Sequence, residues 1–172
     1  QGAGGSAFDF GGNATRGEAA AAIWRMEGSP APKGRSIFID VDAKHQYAAP
    51  ITWAAENGIC MGCGDGRFGP NDPITREQLA FAFYRYARYK GYDTTAKGNT
   101  DTFGDADKIM PYAKPAMQWA AGSGLIQAKF GNRLDPQGTV SRAELTAMHD
   151  RFIKKYGLVQ GIAPGGLTGW ID

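Results

Sequence analysis

The sequence is poor in the residues that bind metals or crosslink chains, with two cysteines and two histidines among 172 residues. Cys60 and Cys63 form one CxxC, which cannot supply the four ligands of a structural zinc site. They read as one core thiol and one loop thiol, with a local disulfide as the alternative. A redox-active CxxC opens a helix after a strand, whereas this one follows a helix end. His45 has no second histidine at metal spacing. Asp40-Val41-Asp42 lacks the glycine and distal glutamate of a calcium loop. No metal site and no cofactor are therefore expected. Long apolar runs are missing too: none reaches 18 residues, so no membrane span is expected. No charged-then-apolar leader opens the chain, which is also how an exported protein reads once its leader is removed. A charge excess is absent as well. With 19 basic and 17 acidic residues the net charge is +2, which argues against a dedicated nucleic-acid binder.

Apolar residues make up 42% of the chain and aromatics 12%, enough for a packed core and unlike a disordered composition. The dominant feature is internal repetition. Thr75-Arg76-Glu77-Gln78 is echoed by Thr15-Arg16-Gly17-Glu18, 60 residues earlier, and by Ser141-Arg142-Ala143-Glu144, 66 residues later. At the second offset Trp53-Ala54-Ala55 meets Trp119-Ala120-Ala121, Gly58-Ile59 meets Gly124-Leu125, and Pro70 meets Pro136. Phe38-Ile39-Asp40 matches Phe103-Gly104-Asp105 with one residue inserted before the tryptophan. Upstream, the match begins at Phe8, opposite Phe68, so copy one has only its C-terminal half. The expected division is 1–30 for that half, 37–92 for copy two, 102–158 for copy three, and a Gly-rich tail over 159–172. Trp170 in that tail either docks into the gap left by copy one or belongs to a mobile end.

Each whole copy reads as helix, loop, helix, and the fold class is all-α. Helix one is expected over Tyr47–Asn57 and Tyr112–Ser123, with Gly58 and Gly124 at the left-handed cap. Helix two is expected over Arg16–Glu27, Arg76–Lys90 and Arg142–Tyr156. Leu79, Ala82, Phe83 and Tyr86 form its apolar stripe, with Ala19, Ala22, Ile23, Met26 and Leu145, Met148, His149, Phe152 as counterparts. One helix pair cannot bury such a stripe alone, so the copies should pack on one another. His149 sits in an apolar slot as a semi-buried histidine. Arg25, Arg85 and Arg151 recur nine residues after the first-turn arginines. They are expected on the far side of the helix, solvated or in inter-repeat salt bridges.

Thr15 with Glu18, Thr75 with Gln78, and Ser141 with Glu144 are capping boxes, which account for the hydroxyl and the Glu or Gln. They do not account for the arginine, which faces the positive end of the helix dipole at a cost of roughly 0.3–1 kcal/mol. Its recurrence calls for an anionic partner. The internal candidates are Asp40 and Asp105, or Asp42 and Asp107, which recur in step with Arg76 and Arg142. The external candidate is a bound carboxylate or phosphate.

From Phe8 to Leu158 the chain resembles the S-layer homology domain family. The carriers are Phe38-x-Asp40, Trp53-Ala54, Gly58-Ile59, Asp65-Gly66-x-Phe68-x-Pro70, Ile74-Thr75-Arg76-Glu77 and Val140-Ser141-Arg142-Ala143-Glu144. The resemblance implies a pseudo-threefold packing of helical repeats. It also implies non-covalent anchoring of extracellular surface proteins to the bacterial cell wall, through grooves that take pyruvylated secondary cell wall polysaccharide. On that reading Arg76 and Arg142, with Arg16 in the half copy, hold the carboxylate. Asp40 and Asp105 accept sugar hydroxyls or orient the arginines, Trp53 and Trp119 line the groove, and Gly58 and Gly124 allow close approach. No catalytic residue is expected. The alternative is a structural or assembly module, with a partner chain at the incomplete first copy. Hydrolysis by Asp40 and Asp105 is disfavoured, since equivalent positions in different copies should lie apart.

Overall fold

The computed structural model describes residues 9–60 and 62–158; Phe8 and the tail with Trp170 lie outside the described residues. Among those described there are five α-helices, three 3-10 turns and no strand. Helix two of the three copies is α1 (Arg16–Met26), α3 (Arg76–Lys90) and α5 (Arg142–Lys155). Helix one of copies two and three is α2 (Ala48–Glu56) and α4 (Lys114–Gly122).

All three capping boxes form. Thr15, Thr75 and Ser141 each accept the N–H of the residue three further on, whose side chain accepts the N–H of the cap. Helix one ends in a Schellman motif in both copies. Gly58 and Gly124 have φ of +69° and +74°, and Ile59 and Leu125 donate back to Ala54 and Ala120 at 2.8 and 2.9 Å. The start of helix one in copy three departs from expectation. Tyr112 lies in a 3-10 turn, Pro111–Ala113, and the α-helix opens only at Lys114. Pro115 has no N–H to give to Pro111, so the first turn cannot make its ordinary bond.

The close helix pairs straddle the copies. α1 packs against α2 and α3 against α4. The stripe residues Leu79, Ala82, Phe83 and Tyr86 are 2% exposed or less. Phe83 and Tyr86 meet Phe152 with ring centroids 5.2 and 5.8 Å apart, which ties α3 to α5.

The first N–H groups of a helix have no partner inside it. Here the loop of the next copy supplies one. Arg16 and Gly17 donate to the carbonyls of Asp72 and Pro70, both at 2.9 Å; Arg76 and Glu77 donate to Gly138 and Pro136, both at 2.9 Å. Arg142 and Ala143 return to Gly12 and Phe10 of the half copy, at 2.9 and 3.1 Å. Three helix starts are thus joined to three loops in a closed order.

His149 fills the slot that Phe83 and Ile23 occupy elsewhere, with its side chain 17% exposed. Burial pushes its pKa below the ordinary histidine value, and Asp150 at 3.9 Å only partly opposes this. The unfolded chain therefore binds the proton more readily. Stability is full above the unfolded pKa and falls as pH drops through it. His149→Phe should flatten this dependence: the loss of Tm between about pH 7.5 and about pH 5.5 shrinks relative to wild type. An unchanged loss would show that His149 does not carry it.

Candidate functional site

The recurrent Asp and Arg act on the same loop. Asp40 accepts the N–H groups of Phe68 and Gly69, both at 2.9 Å; Asp105 accepts those of Leu134 and Asp135 at 2.9 and 2.8 Å. Burial raises the Asp40 pKa, but these backbone donors outweigh it and hold the carboxyl below its usual value. Across the copy boundary, Arg16 Nε donates to the Phe68 carbonyl at 2.7 Å and Arg76 Nε to the Leu134 carbonyl at 2.6 Å. One peptide unit is therefore gripped at its N–H by Asp and at its carbonyl by Arg.

This corrects the expectation of a direct Arg–Asp pair within one copy. The arginine belongs to the preceding copy, and the two side chains meet only through the residue between them. The carboxylate that does pair with the arginine is the capping-box glutamate of the next copy. Arg76 Nη1 lies 3.0 Å from Glu144 Oε2, and Arg142 Nε lies 3.0 Å from Glu18 Oε2. Glu144 and Glu18 cap their own helices with the other oxygen. For Arg16 the equivalent residue is Gln78, and its guanidinium also sits 4.9 Å from the Phe68 ring centre.

The three arginines are not equivalent. The Arg76 side chain is 7% exposed and donates a third bond, from Nη2 to the Gln127 carbonyl at 2.7 Å. Three of the about five guanidinium N–H donors are thus used. Arg142 is 24% exposed and has a second carboxylate nearby, Asp9 at 3.9 Å. A Cβ at Gly12 would lie 2.6 Å from both Arg142 Nη1 and Asp9 Oδ2, so a side chain there would displace these two side-chain ends.

Arg76 forms one wall of a groove of about 270 Å³ between α3, the loop after α4, and α5. Leu79, Leu125 and Met148 give it an apolar floor; Lys129, Glu144 and Arg151 stand with Arg76 around it. Three cations thus face one carboxylate. Lys129 also pairs with Asp135 at 2.6 Å, and this bond holds the Asp135 carboxyl below its usual pKa.

Sequence reasoning missed Arg151 and Lys129. Arg151 does lie opposite Arg142 on the helix, but the groove is on that opposite face, where the arginine of the preceding copy arrives. Its recurrence with Arg85 was the available signal. Arg85 Nε donates to Gly58 O at 2.9 Å and Arg151 Nη1 to Leu125 O at 3.2 Å, so both hold the end of helix one in their own copy. Arg25 and Arg85 are exposed, in line with the expected solvated role, and Arg151 is half-buried; among the described residues none of the three makes an inter-repeat salt bridge.

Trp53 and Trp119 lie in the core, 4% and 1% exposed, and present no ring face to solvent. Trp119 packs against Tyr84 and Phe152, with ring centroids 5.4 and 6.4 Å apart. Gly124 directs the chain into the groove loop, and a Cβ there would meet nothing, so its φ alone demands glycine. Cys60 is buried and Cys63 exposed, both as free thiols; burial pushes the Cys60 pKa up to about 12. Among the described residues no His, Cys, Asp or Glu cluster suits a metal, and no helix is long and apolar enough to cross a membrane.

The sequence profile of the S-layer homology domain matches residues 38–80 and 102–146, about half of the chain. The chain belongs to the S-layer homology domain family. Both matched stretches hold an Asp clamp, the end of helix one and the start of helix two, so the family signature coincides with the residues that join copies. The chain is 33% identical over 145 residues to an amylopullulanase of Thermoanaerobacterium thermosulfurigenes, covering 83% of this chain and 8% of that protein. It is 28% identical over 148 residues to a cellulosome-anchoring protein of Acetivibrio thermocellus, covering 83% and 32%. It is 27% identical over 125 residues to a surface-layer 125 kDa protein of Lysinibacillus sphaericus, covering 71% and 10%. The chain therefore spans roughly a tenth of several of these relatives. Among solved structures, an undecaheme cytochrome from the S-layer of Carboxydothermus ferrireducens aligns with a TM-score of 0.52 and 19% identity. That match covers 91% of this chain and 20% of the other, and it speaks to the fold alone.

Proposed function

We propose that this S-layer homology chain anchors a surface protein to the bacterial cell wall by binding an anionic, pyruvylated secondary cell wall polysaccharide in the groove beside Arg76. The observation that carries this reading is the convergence of Arg76, Lys129 and Arg151 on one apolar-floored groove against the single carboxylate of Glu144. A sugar with a carboxylate fits both halves of that surface: its ring on the floor, its charge at the cations. Arg76 is fixed by three internal acceptors before any ligand arrives, so little ordering is needed on binding. Asp105, Trp119 and Gly124 serve by holding the groove loop, and Asp40, Trp53 and Gly58 do the same for the Arg16 junction. Arg142, with Glu18 and Asp9 beside it, is the least suited of the three arginines to a further anion. The closed order of helix starts and loops supports the pseudo-threefold arrangement.

The names of the surface-layer and cellulosome-anchoring relatives support an extracellular, cell-surface location. The enzyme names belong to far longer proteins, and Asp40 and Asp105 each hold loop N–H groups in separate copies, so no catalytic step is assigned. A second reading, assembly with a partner chain, is favoured by one observation: the outer face of α5 is exposed where the same face of α1 and α3 is covered.

The test is co-sedimentation with purified sacculi before and after mild acid removal of the secondary polymer. The wild type should pellet with intact sacculi and stay in solution with stripped ones. Lys129→Gln/Arg151→Gln, which spares the Arg76 brace, should bind at least about tenfold more weakly, on the order of 1.4 kcal/mol. Equal pelleting with stripped sacculi would exclude the polymer as ligand.

A further inference from the structure

The loop over 129–135 differs from its counterpart over 63–69 at three glycines. Gly64, Gly66 and Gly69 of copy two stand where copy three has Phe130, Asn132 and Asp135. Gly66 and Gly69 have φ of +85° and +72°, and Asn132 and Asp135 hold the same left-handed conformation at +56° and +52°. That conformation is unfavourable for a residue with a Cβ, and Asn and Asp are among those that tolerate it best. Both side chains are put to use. Asn132 Nδ2 donates to the Thr102 carbonyl at 2.8 Å, and the Asp135 carboxylate accepts from Lys129 Nζ at 2.6 Å. The backbone adds a bond from Gly104 N–H to the Asn132 carbonyl at 3.0 Å and one from Lys129 N–H to the Arg133 carbonyl at 2.7 Å. Copy three thus tolerates backbone strain to tie down a turn that copy two builds from glycine.

What this turn displays is Phe130. Its exposure is 98%, so the ring takes no part in the core. A single exposed apolar residue is ordinary on a protein surface; its setting singles this one out. Phe130 directly follows Gln127, Ala128 and Lys129, three consecutive residues of the groove wall. The chain doubles back after Lys129, so Phe130 is the first residue beyond the rim, with its Cα about 3.8 Å from that of Lys129. Lys129 and the exposed Arg133 flank the turn. A protein partner calls for a wider apolar patch with charge kept to its rim. A saccharide needs only one flat apolar face for its C–H groups, and an acidic polymer gains from the two cations.

We infer that Phe130 is a specificity-determining residue that stacks on the saccharide next to the anionic one, so that the site reads at least two sugar units of the polymer. The inference rests on the groove beside Arg76 as the anion site and extends that site outward. The Arg16 junction, with Gly64 at the equivalent place, has no such platform.

The test is an NMR titration of the full chain with two ligands. One is a pyruvylated methyl hexoside, which fills only the anion site; the other is purified secondary wall polymer. In the wild type the Phe130 ring signals should shift with the polymer and stay in place with the hexoside. Phe130→Ala should weaken polymer binding by roughly three- to tenfold, the scale of one ring-stacking contact. It should leave Tm and the affinity for the hexoside unchanged. Phe130→Tyr keeps the ring and should bind polymer as the wild type does. Wild-type polymer affinity in Phe130→Ala overturns the inference. Equal losses for hexoside and polymer overturn the second sugar unit, since the ring would then serve the anionic unit itself. Ring signals that shift with chain concentration, without any ligand, point to a second copy as the occupant and overturn it too. The groove reading fails separately, if neither ligand shifts Gln127 or Lys129 in the wild type.

Discussion

Arg76→Ala should destabilise the fold by about 3–6 kcal/mol, because two backbone carbonyls each lose a hydrogen bond from a charged donor worth about 1.5–3 kcal/mol. The Arg76 side chain is 7% exposed and serves Leu134 O, Gln127 O and Glu144 together. Its loss leaves two carbonyls facing an unfilled space, while Glu144, 43% exposed, keeps its cap bond and is open to water. Arg142→Ala should cost much less, about 1 kcal/mol, because Arg142 and Glu18 are each about a quarter exposed, Asp9 is 73% exposed, and water screens both pairs. Arg76→Lys should recover only part of the loss, since a point charge cannot bridge three acceptors set for a planar fork. Chemical denaturation of the three variants checks the order. Equal midpoints for Arg76→Ala and Arg142→Ala would contradict the assignment of Arg76 as the buried brace.

Asp105→Ala should cost about 3–6 kcal/mol, because hydrogen bonds to a charged group are each worth about 1.5–3 kcal/mol and two are lost. Asp105 is 6% exposed, so water cannot readily replace its oxygens at Leu134 and Asp135 N–H. Asp105→Asn should fall between, since one amide oxygen can serve one N–H while its NH2 opposes the other. The effect reaches the groove as well. Leu134 and Asp135 position the Arg76 acceptor and the Lys129 partner, so a folded Asp105→Asn should bind wall polymer more weakly though Asp105 lies outside the groove. Urea denaturation and sacculus binding on the same variant check both parts. Wild-type stability in Asp105→Ala would show that the loop holds its shape without the clamp.

The helix starts were legible because capping boxes are local: Thr75 and Gln78, three residues apart, specify both ends of their own bonds. The ends at Gly58 and Gly124 were legible for the same reason. The start of α4 was not, because Pro111 and Pro115 together shift the first turn to 3-10 geometry, a competition that apolar periodicity does not register. That Arg16, Arg76 and Arg142 need partners was also legible, from the cost of a cation at a helix start. Which partners they take was not. Arg76 reaches Leu134, 58 residues on, across a copy boundary, and the repeat offsets relate equivalent positions without saying which copies touch. The same gap hid the groove. Arg151 was placed correctly on its own helix, but the surface it shares with Arg76 exists only once copies two and three are docked. Trp53 and Trp119 were expected beside a ligand for their amphipathic rings, yet a Trp-Ala-Ala run flanked by small residues is also what a buried helix contact needs.

The measurement that goes most directly to the anchoring site is a heteronuclear NMR titration of the wild-type chain with purified secondary wall polymer. It should be repeated with the same polymer after its ketal carboxylates are removed. The predicted result is a saturable set of shifts at Gln127, Lys129, Glu144, Met148 and Arg151, with the Arg76 Nε–H among them, and their loss with the decarboxylated polymer. Shifts confined to other surfaces, or unchanged binding without the carboxylates, would contradict the groove beside Arg76 as the anion site.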